Sequence, residues 1–275
     1  ALLMLDAIQN AQQTLDWPRL CRWHLWLFSG QGVSFNRRPL RVCQLRGDEP
    51  MQVVSGRLDR PKVHFEAPPR DRLMAELEVF IRWFNASRAD LSQDPLLRAA
   101  ICHLWFVTLH PFDDGNGRIT RALTDMALAQ VDDQSIQLYA MSVAILDRRQ
   151  DYYRILERTR RGGLDITPWV LWFIDTLDNT LDGALAAIDR TLAKARFWRQ
   201  HQAAGLGVEQ SKVLNRLLDG GERGFEGGIS ASQYQKVAKV SKATATRHLA
   251  DLVQKGCVEK LPSGGRSTRY RVRQR

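Results

Sequence analysis

The residues able to do chemistry are gathered in one stretch, His110-Pro-Phe-Asp-Asp-Gly-Asn-Gly-Arg-Ile-Thr-Arg121. Gly115 and Gly117 free the backbone for conformations a side chain forbids, and they leave amide N–H groups bare where a helix begins. A helix N-terminus carries unsatisfied donors and a partial positive charge, which suits an anion. Arg118 and Arg121 lie one turn apart on one helix face, and a guanidinium grips phosphate oxygens in pairs. Asp114 is a hard oxygen ligand suited to a Mg2+ ion bridging phosphates. His110 is the candidate general base, because an imidazole titrates near working pH. Phe112 reads as an anchor into the core. The combination predicts a phosphate-bearing substrate and a proton to be removed.

The flanking segments must position that stretch. Ala99 to Leu109 is apolar, and Ile119, Ala122, Leu123, Met126, Ala127 and Leu128 recur at helical spacing, so the order is helix, tight loop, helix. Taken singly, a glycine-rich acidic loop is ordinary turn chemistry; the weight lies in all these residue types together. An EF-hand is excluded, since its register puts His110 and Phe112 at ligand positions and Arg121 where the bidentate Glu belongs. A P-loop is excluded because no Gly-Lys-Ser/Thr follows.

The stretch resembles the signature of Fic domains, His-x-Phe-x-Asp/Glu-Gly-Asn-Gly-Arg-x-x-Arg, matched at His110, Phe112, Asp114, Gly115, Asn116, Gly117, Arg118 and Arg121 without a gap. The resemblance implies a mainly α fold, a helical Fic core with a β-hairpin flap. It also implies transfer of AMP from ATP, with Mg2+, to a Ser, Thr or Tyr hydroxyl of a target protein. By that resemblance His110 is catalytic and Asp114 holds the metal, while Gly115, Asn116, Gly117, Arg118 and Arg121 bind nucleotide. Many Fic proteins carry an inhibitory Ser/Thr-x-x-x-Glu-Gly/Asn segment whose Glu pairs with the second motif arginine. No Ser or Thr here has a Glu four residues on, so an unrestrained Arg121 is expected. The first residues already follow a helical pattern, and further residues upstream are expected.

The 275 residues suit one large domain or two smaller ones, and 44% hydrophobic content is enough for real cores. Cys21, Cys43, Cys102 and Cys257 are scattered without a C-x-x-C pair, so unpaired thiols and a reducing, cytoplasmic compartment are expected. No apolar run approaches the ~20 residues of a membrane span, and no signal peptide pattern is visible. Residues 2–16 and 20–29 read as supporting helices separated by a break at Trp17-Pro18.

Val53 to Gly56 and Lys62 to Glu66 are short β-type runs joined by turn residues, a hairpin whose open edge can accept another strand. Fic proteins carry such a flap upstream of the motif, ahead of a Pro-rich segment. The resemblance therefore implies a target peptide held along it, with Val63, His64, Phe65 and Glu66 near the nucleotide. Helices follow at 70–84, 95–109, to about 129, 135–146 and 149–160. Asp151-Tyr-Tyr-Arg-Ile-Leu156 is similar to a Fic pattern that sets a tyrosine beside adenine, which implies Tyr152 there and Arg160 near the nucleotide. Helix packing is the competing role for both tyrosines. Thr167-Pro-Trp169 opens a further helix to about 185 that continues through 191–202.

The net charge of +10 is uneven: residues 230–275 hold eleven Lys or Arg against two acids, a net +9. Such asymmetry marks a basic module. Helix, turn, helix and two strands over this region resemble a winged helix-turn-helix, giving a Fic core at 1–200 and a C-terminal winged-helix domain at 201–275. Ser241, Lys242, Thr244, Thr246 and Arg247 would then start a recognition helix in a major groove, with Arg266 and Arg269 on the wing meeting phosphate or minor groove. The charge favours duplex DNA as partner; protein contact or a homodimer through this module is the alternative. The rival function is a DNA-binding transcriptional regulator whose Fic core is a nucleotide sensor or regulated partner. Transfer of another phosphate-bearing group is a third reading.

Overall fold

A computed structural model of the chain describes residues 2–29, 34–35, 38–49, 51–57, 60–90, 92–130, 141–220, 225, 227–262 and 268–273. The chain is mainly helical and divides into two compact units, Ala1–Asp182 and Gly183–Arg275.

The first unit runs α1 (Leu2–Gln9), α2 (Trp17–Phe28), β1 (Ser34–Phe35), β2 (Arg38–Pro39), β3 (Gln52–Arg57), β4 (Arg60–Glu66), α3 (Arg70–Ala86), a 3-10 turn, α4 (Pro95–Leu109), α5 (Asn116–Ala129), α6 (Met141–Asp147), α7 (Arg149–Arg161) and the first half of α8 (Thr167–Gln200). α4 and α5 are its centre. Ile119, Ala122, Leu123, Met126 and Ala127 of α5 are wholly buried, as are Ala99, Ala100, Cys102 and Phe106 of α4. A helix apolar on nearly every side belongs in an interior, and each large side chain so buried contributes about 1.5–3 kcal/mol. α1, α2 and α3 pack around this pair.

The expected helix over 2–16 stops at Gln9. There the Arg19 guanidinium, 2% exposed, donates to the backbone carbonyls of Asp6, Asn10 and Gln13 and pairs with the Asp6 carboxylate at 2.9 Å. The Asn10 and Gln13 carbonyls, past the helix end, are thus satisfied by a side chain. Pro18 does not interrupt a helix but opens α2, with Asp16 accepting from the Arg19 N–H as N-cap. The expectation of four unpaired cysteines is also corrected. Cys21 on α2 is disulfide-bonded to Cys43, their Cα atoms 4.6 Å apart. The loop is brought to α2 by His24, whose Nδ1 accepts from the Cys43 N–H at 3.1 Å. Cys102 and Cys257 are free and buried.

β3 and β4 form the anticipated antiparallel hairpin, in register from Gln52 opposite Glu66 to Arg57 opposite Arg60, with an irregularity at Val53/Val54. β4 runs beside α7. The 135–140 part of the expected helix over 135–146 lies outside the described residues.

The second unit holds the rest of α8, then α9 (Val208–Asp219), β5 (Ile229–Ser230), α10 (Ala231–Ala238), α11 (Lys242–Gln254), β6 (Val258–Lys260) and β7 (Arg269–Val272). Its sheet has the order β5-β7-β6, antiparallel throughout. Val213, Leu214, Ile229, Tyr234, Ala245, Leu249, Leu252, Cys257 and Val258 form its core. Ser230 and Ser241 cap α10 and α11. Among the described residues no helix is long and apolar enough to cross a membrane.

Candidate active site

The motif loop turns between two left-handed residues. α4 ends at His110, φ +48°, whose N–H donates to the Phe106 carbonyl. α5 begins after Gly115, φ +84°. A side chain at Gly115 would also come within 3.1 Å of Phe28 and 3.2 Å of Leu27, so conformation and space both demand glycine. His110 meets the same backbone requirement with a Cβ, a conformation that survives only where its surroundings fix it.

Those surroundings grip the loop residue by residue. The Arg46 Nε donates to the His110 carbonyl at 2.9 Å, and its backbone N–H donates to Pro111 O at 2.9 Å. Asn116 Nδ2 donates to Phe112 O at 2.7 Å, while Asn116 Oδ1 accepts from Phe112 N at 2.9 Å. Asp113, nearly buried, takes a bidentate grip from Arg41 at 2.9 and 3.1 Å. His24 closes the set. Its Nδ1 accepts from Cys43, so Nε2 carries the proton and donates to Asp114 O at 3.1 Å. Burial pushes its pKa down, opposed by Asp114. The wholly buried Phe112 ring stacks on His24 at 4.2 Å and on Trp17 at 5.8 Å, as expected of an anchor.

In front of the loop lies a cavity of about 340 Å³ lined by Val107, His110, Gly117, Arg121, Ile145, Leu146, Arg149, Tyr152, Tyr153, Leu156 and Arg160. Arg121, Arg149 and Arg160 line it, and among the described residues no carboxylate does. Its lining thus combines apolar and aromatic side chains, which suit a ring system, with cationic ones. No side chain caps α5, and a side chain at Gly117 would meet only Arg121, at 3.5 Å. The first amides of α5 are therefore open to an anion. Among the described residues none pairs with the Arg121 guanidinium.

His110 Nδ1 lies 3.4 Å from the Val107 carbonyl. A carbonyl only accepts, so Nδ1 carries the proton and Nε2 holds the lone pair, the tautomer a base needs. Burial pushes its pKa down to about 4, helped by Arg160 and Arg46 and opposed by the Val107 bond and Asp114. The imidazole is thus neutral at physiological pH. Burial also pushes Asp125, one turn beyond Arg121, up to about 7, with Arg121 pulling the other way; its Oδ1 has no hydrogen-bond partner among the described residues. Burial lowers Arg160 to about 10.

His110, Gly117, Arg121, Tyr152 and Arg160 therefore meet at one cavity, although 50 residues separate the first from the last. Other expected residues do different work. The Asn116 side chain is spent on Phe112, leaving only its backbone for a ligand. Arg118 lies over the Phe28 ring at 4.9 Å and 3.4 Å from Asp114. The Tyr152 hydroxyl is bonded to His103 Nε2 at 3.1 Å, and His103 to Thr124 at 2.9 Å, so Tyr152 offers a ring and not a hydroxyl. Arg160 reaches Thr108 and the Val107 carbonyl at 3.4 and 3.3 Å. Val63, His64 and Phe65 are on β4, where only backbone is described; Glu66 is its exposed last residue.

Asp114 accepts from Gly115 N at 2.6 Å and keeps its side chain 44% exposed. Among the described residues no group of three or more His, Cys, Asp or Glu is assembled for a metal.

In the second unit Lys242, Thr246 and Arg247 are exposed at the start of α11. The Ser241 and Thr244 hydroxyls bond each other at 2.9 Å in the cap, and Thr246 bonds the Lys242 carbonyl. Arg269 donates to Gly228 O, and Arg266 lies outside the described residues.

Arg41, Arg46 and His24 carry no motif and were not anticipated from sequence. Asp113 occupies an unspecified position of the signature, and its bond to Arg41 had no sequence signal.

Residues 14–128 match the Fic/DOC family. The chain is 30% identical over 179 residues to "Protein adenylyltransferase Fic" of Culex quinquefasciatus, covering 64% of this chain and 33% of that one. It is 31% identical over 135 residues to the protein of the same name from Drosophila ananassae, covering 49% and 25%. The chain thus spans a third or less of these relatives. Among solved structures, a Fic family protein from Desulfovibrio desulfuricans G20 aligns over 100% of this chain and 73% of its own at 20% identity, TM-score 0.50. A Fic domain containing signaling protein from Bacteroides thetaiotaomicron VPI-5482 aligns over 67% and 69% at 19% identity, TM-score 0.50.

Proposed function

We propose that this chain, whose residues 14–128 match the Fic/DOC family, is a protein adenylyltransferase that moves AMP from ATP to a Ser, Thr or Tyr hydroxyl of a target protein. The observation that carries the reading is one cavity lined by His110, whose Nδ1 contact with Val107 O leaves the lone pair on Nε2, by three arginines, by Gly117 at an uncapped helix start and by apolar and aromatic side chains. The purine would lie against Tyr152, Tyr153, Ile145 and Leu156. The polyphosphate would take the open amides of Asn116 and Gly117 and the Arg121 guanidinium. Mg2+ on Asp114 would supply charge neutralisation between the phosphates.

His110 Nε2 takes the proton of the incoming hydroxyl. Its oxygen bonds the α-phosphorus as the bond to the β-phosphate oxygen breaks, and pyrophosphate leaves with the electron pair. Positioning and electrostatics carry such a step, and the base adds about 10²–10⁴-fold. The target would lie along the free edge of β4, held by main-chain pairing. Incubation of the protein and cell extract with α-labelled or γ-labelled ATP tests the reading. Label from the α position alone supports it. Label from the γ position alone would make the reaction a phosphorylation.

A second activity belongs to the basic unit. Exposed Lys242, Thr246 and Arg247 at the start of α11 support a winged helix that binds duplex DNA. Its test is duplex retention that weakens with salt and falls in Lys242→Ala/Arg247→Ala.

A further inference from the structure

A left-handed histidine is the costly feature of the active loop. His110 holds φ +48° with no glycine to make it easy, at a cost on the order of 1–3 kcal/mol. Something must hold it there, because the imidazole's aim into the cavity follows from that backbone. The residue behind it is Arg46, 2% exposed. Its guanidinium has no carboxylate partner among the described residues and meets only carbonyls, His110 O at 2.9 Å and Pro68 O. Burial and Arg70 hold its pKa down, with the Asp113 charge pulling the other way. A buried cation to which no carboxylate hydrogen-bonds among the described residues is expensive, and an apolar side chain would fill the space more cheaply.

The two carbonyls lie at distinct functional places. One belongs to the proposed base. The other lies two residues past β4, where the hairpin leaves for α3. The anchorage extends through the backbone of Arg46, whose N–H donates to Pro111 O and whose carbonyl accepts from Arg70 Nε at 2.8 Å. Arg70 is the first residue of α3, so one residue spans the loop, the hairpin exit and the next helix.

We infer that Arg46 is a positioning residue which holds the His110 backbone in its left-handed conformation and couples it to the exit of the hairpin. It is not among the described residues that line the cavity. The inference rests on the transferase reading for its kinetic consequence, but its structural consequence stands apart from that reading. Aim of the base and placement of the hairpin are fixed by the same guanidinium, so they change together.

Arg46→Met and Arg46→Lys test this. A misplaced base costs about 10²-fold, so Arg46→Met should lower kcat for AMP transfer about 10²-fold while its affinity for ATP stays within about twofold, since the phosphate contacts are elsewhere. Arg46→Lys, which cannot span two carbonyls with one planar fork, should recover part of the rate. Hydrogen exchange followed by mass spectrometry should show faster exchange in Arg46→Met at both 107–114 and 60–69, with other segments unchanged. Wild-type kcat in Arg46→Met, or ATP affinity falling in step with rate, would overturn the inference. So would exchange rising at one segment only, or across the whole chain as in a misfolded variant. If wild-type protein labels no target, the transferase reading fails, and the paired exchange change with unaltered ATP affinity still decides the role of Arg46.

Discussion

α4 and α5 pack against each other and begin in opposite ways. α4 opens on Asp94, whose carboxylate accepts from the N–H groups of Leu96 and Leu97 at 2.9 and 3.0 Å, with Pro95 in the first turn. α5 opens on a left-handed glycine with no side-chain cap. Capping contributes about 1 kcal/mol, so an uncapped start beside a buried core forgoes stability that its neighbour takes. The difference separates a helix end built to hold itself together from one whose donors are kept for a guest. Around the open end the chain compensates through Arg41, Arg46, His24 and Asn116, none of which is among the described residues lining the cavity.

The largest effect tests whether the open end serves chemistry. His110→Ala should lose about 10²–10⁴-fold in AMP transfer while retaining ATP. Normal labelling of targets by that variant would break the comparison, since the cavity would then be a binding site without a base. Next comes Arg121→Ala. Hydrogen bonds to charged groups are worth about 1.5–3 kcal/mol, so ATP affinity should fall by roughly 10- to 100-fold in calorimetry with little change in melting temperature. The closed end should behave in reverse: Asp94→Ala should cost about 1 kcal/mol in denaturant unfolding and leave transfer untouched. If Asp94→Ala slowed transfer without loss of stability, the two helix starts would not be different in kind.

The sequence made the front of this site readable and hid the back. Gly115, Gly117, Arg121 and His110 announce themselves because anion binding and base chemistry demand those types at those spacings. The 95–109 helix was readable from Asp94-Pro95 and its apolar run. Arg46 and Arg41 were not, because their partners are main-chain carbonyls and a carboxylate 64 and 72 residues away, and no periodicity encodes such a contact. The same holds for His103 under Tyr152 and for the Cys21–Cys43 bond, whose 22-residue separation fits no recurrent spacing. The contacts of Arg19 at the end of α1 were hidden for the same reason: a buried cation gathering distant carbonyls has no local signature. At Asn116, a signature position, the side chain closes the loop and the backbone is what remains for a ligand.

The smallest expected effect is an absence. An imidazole at its ordinary pKa near 6.5 is only about a tenth neutral at pH 5.5, so a conventional base would lose most of its rate there. His110, depressed to about 4 by burial, stays neutral and should keep kcat/KM, which reports the free enzyme, nearly flat from pH 7.5 to 5.5, with loss only as pH falls through about 4. Stability carries the opposite bookkeeping. The unfolded chain takes up a proton near 6.5 that the folded chain refuses, so His110 withdraws stability as pH falls from there toward 4. Asp125, raised to about 7 beside Arg121, is the group able to obscure this. A step in kcat/KM near pH 7 that Asp125→Asn removes belongs to the carboxyl and leaves the assignment of His110 intact. A step near 6.5 that survives Asp125→Asn would mean that the imidazole is wetter than its packing under Arg46 and Arg160 implies, and that the loop is open on both sides.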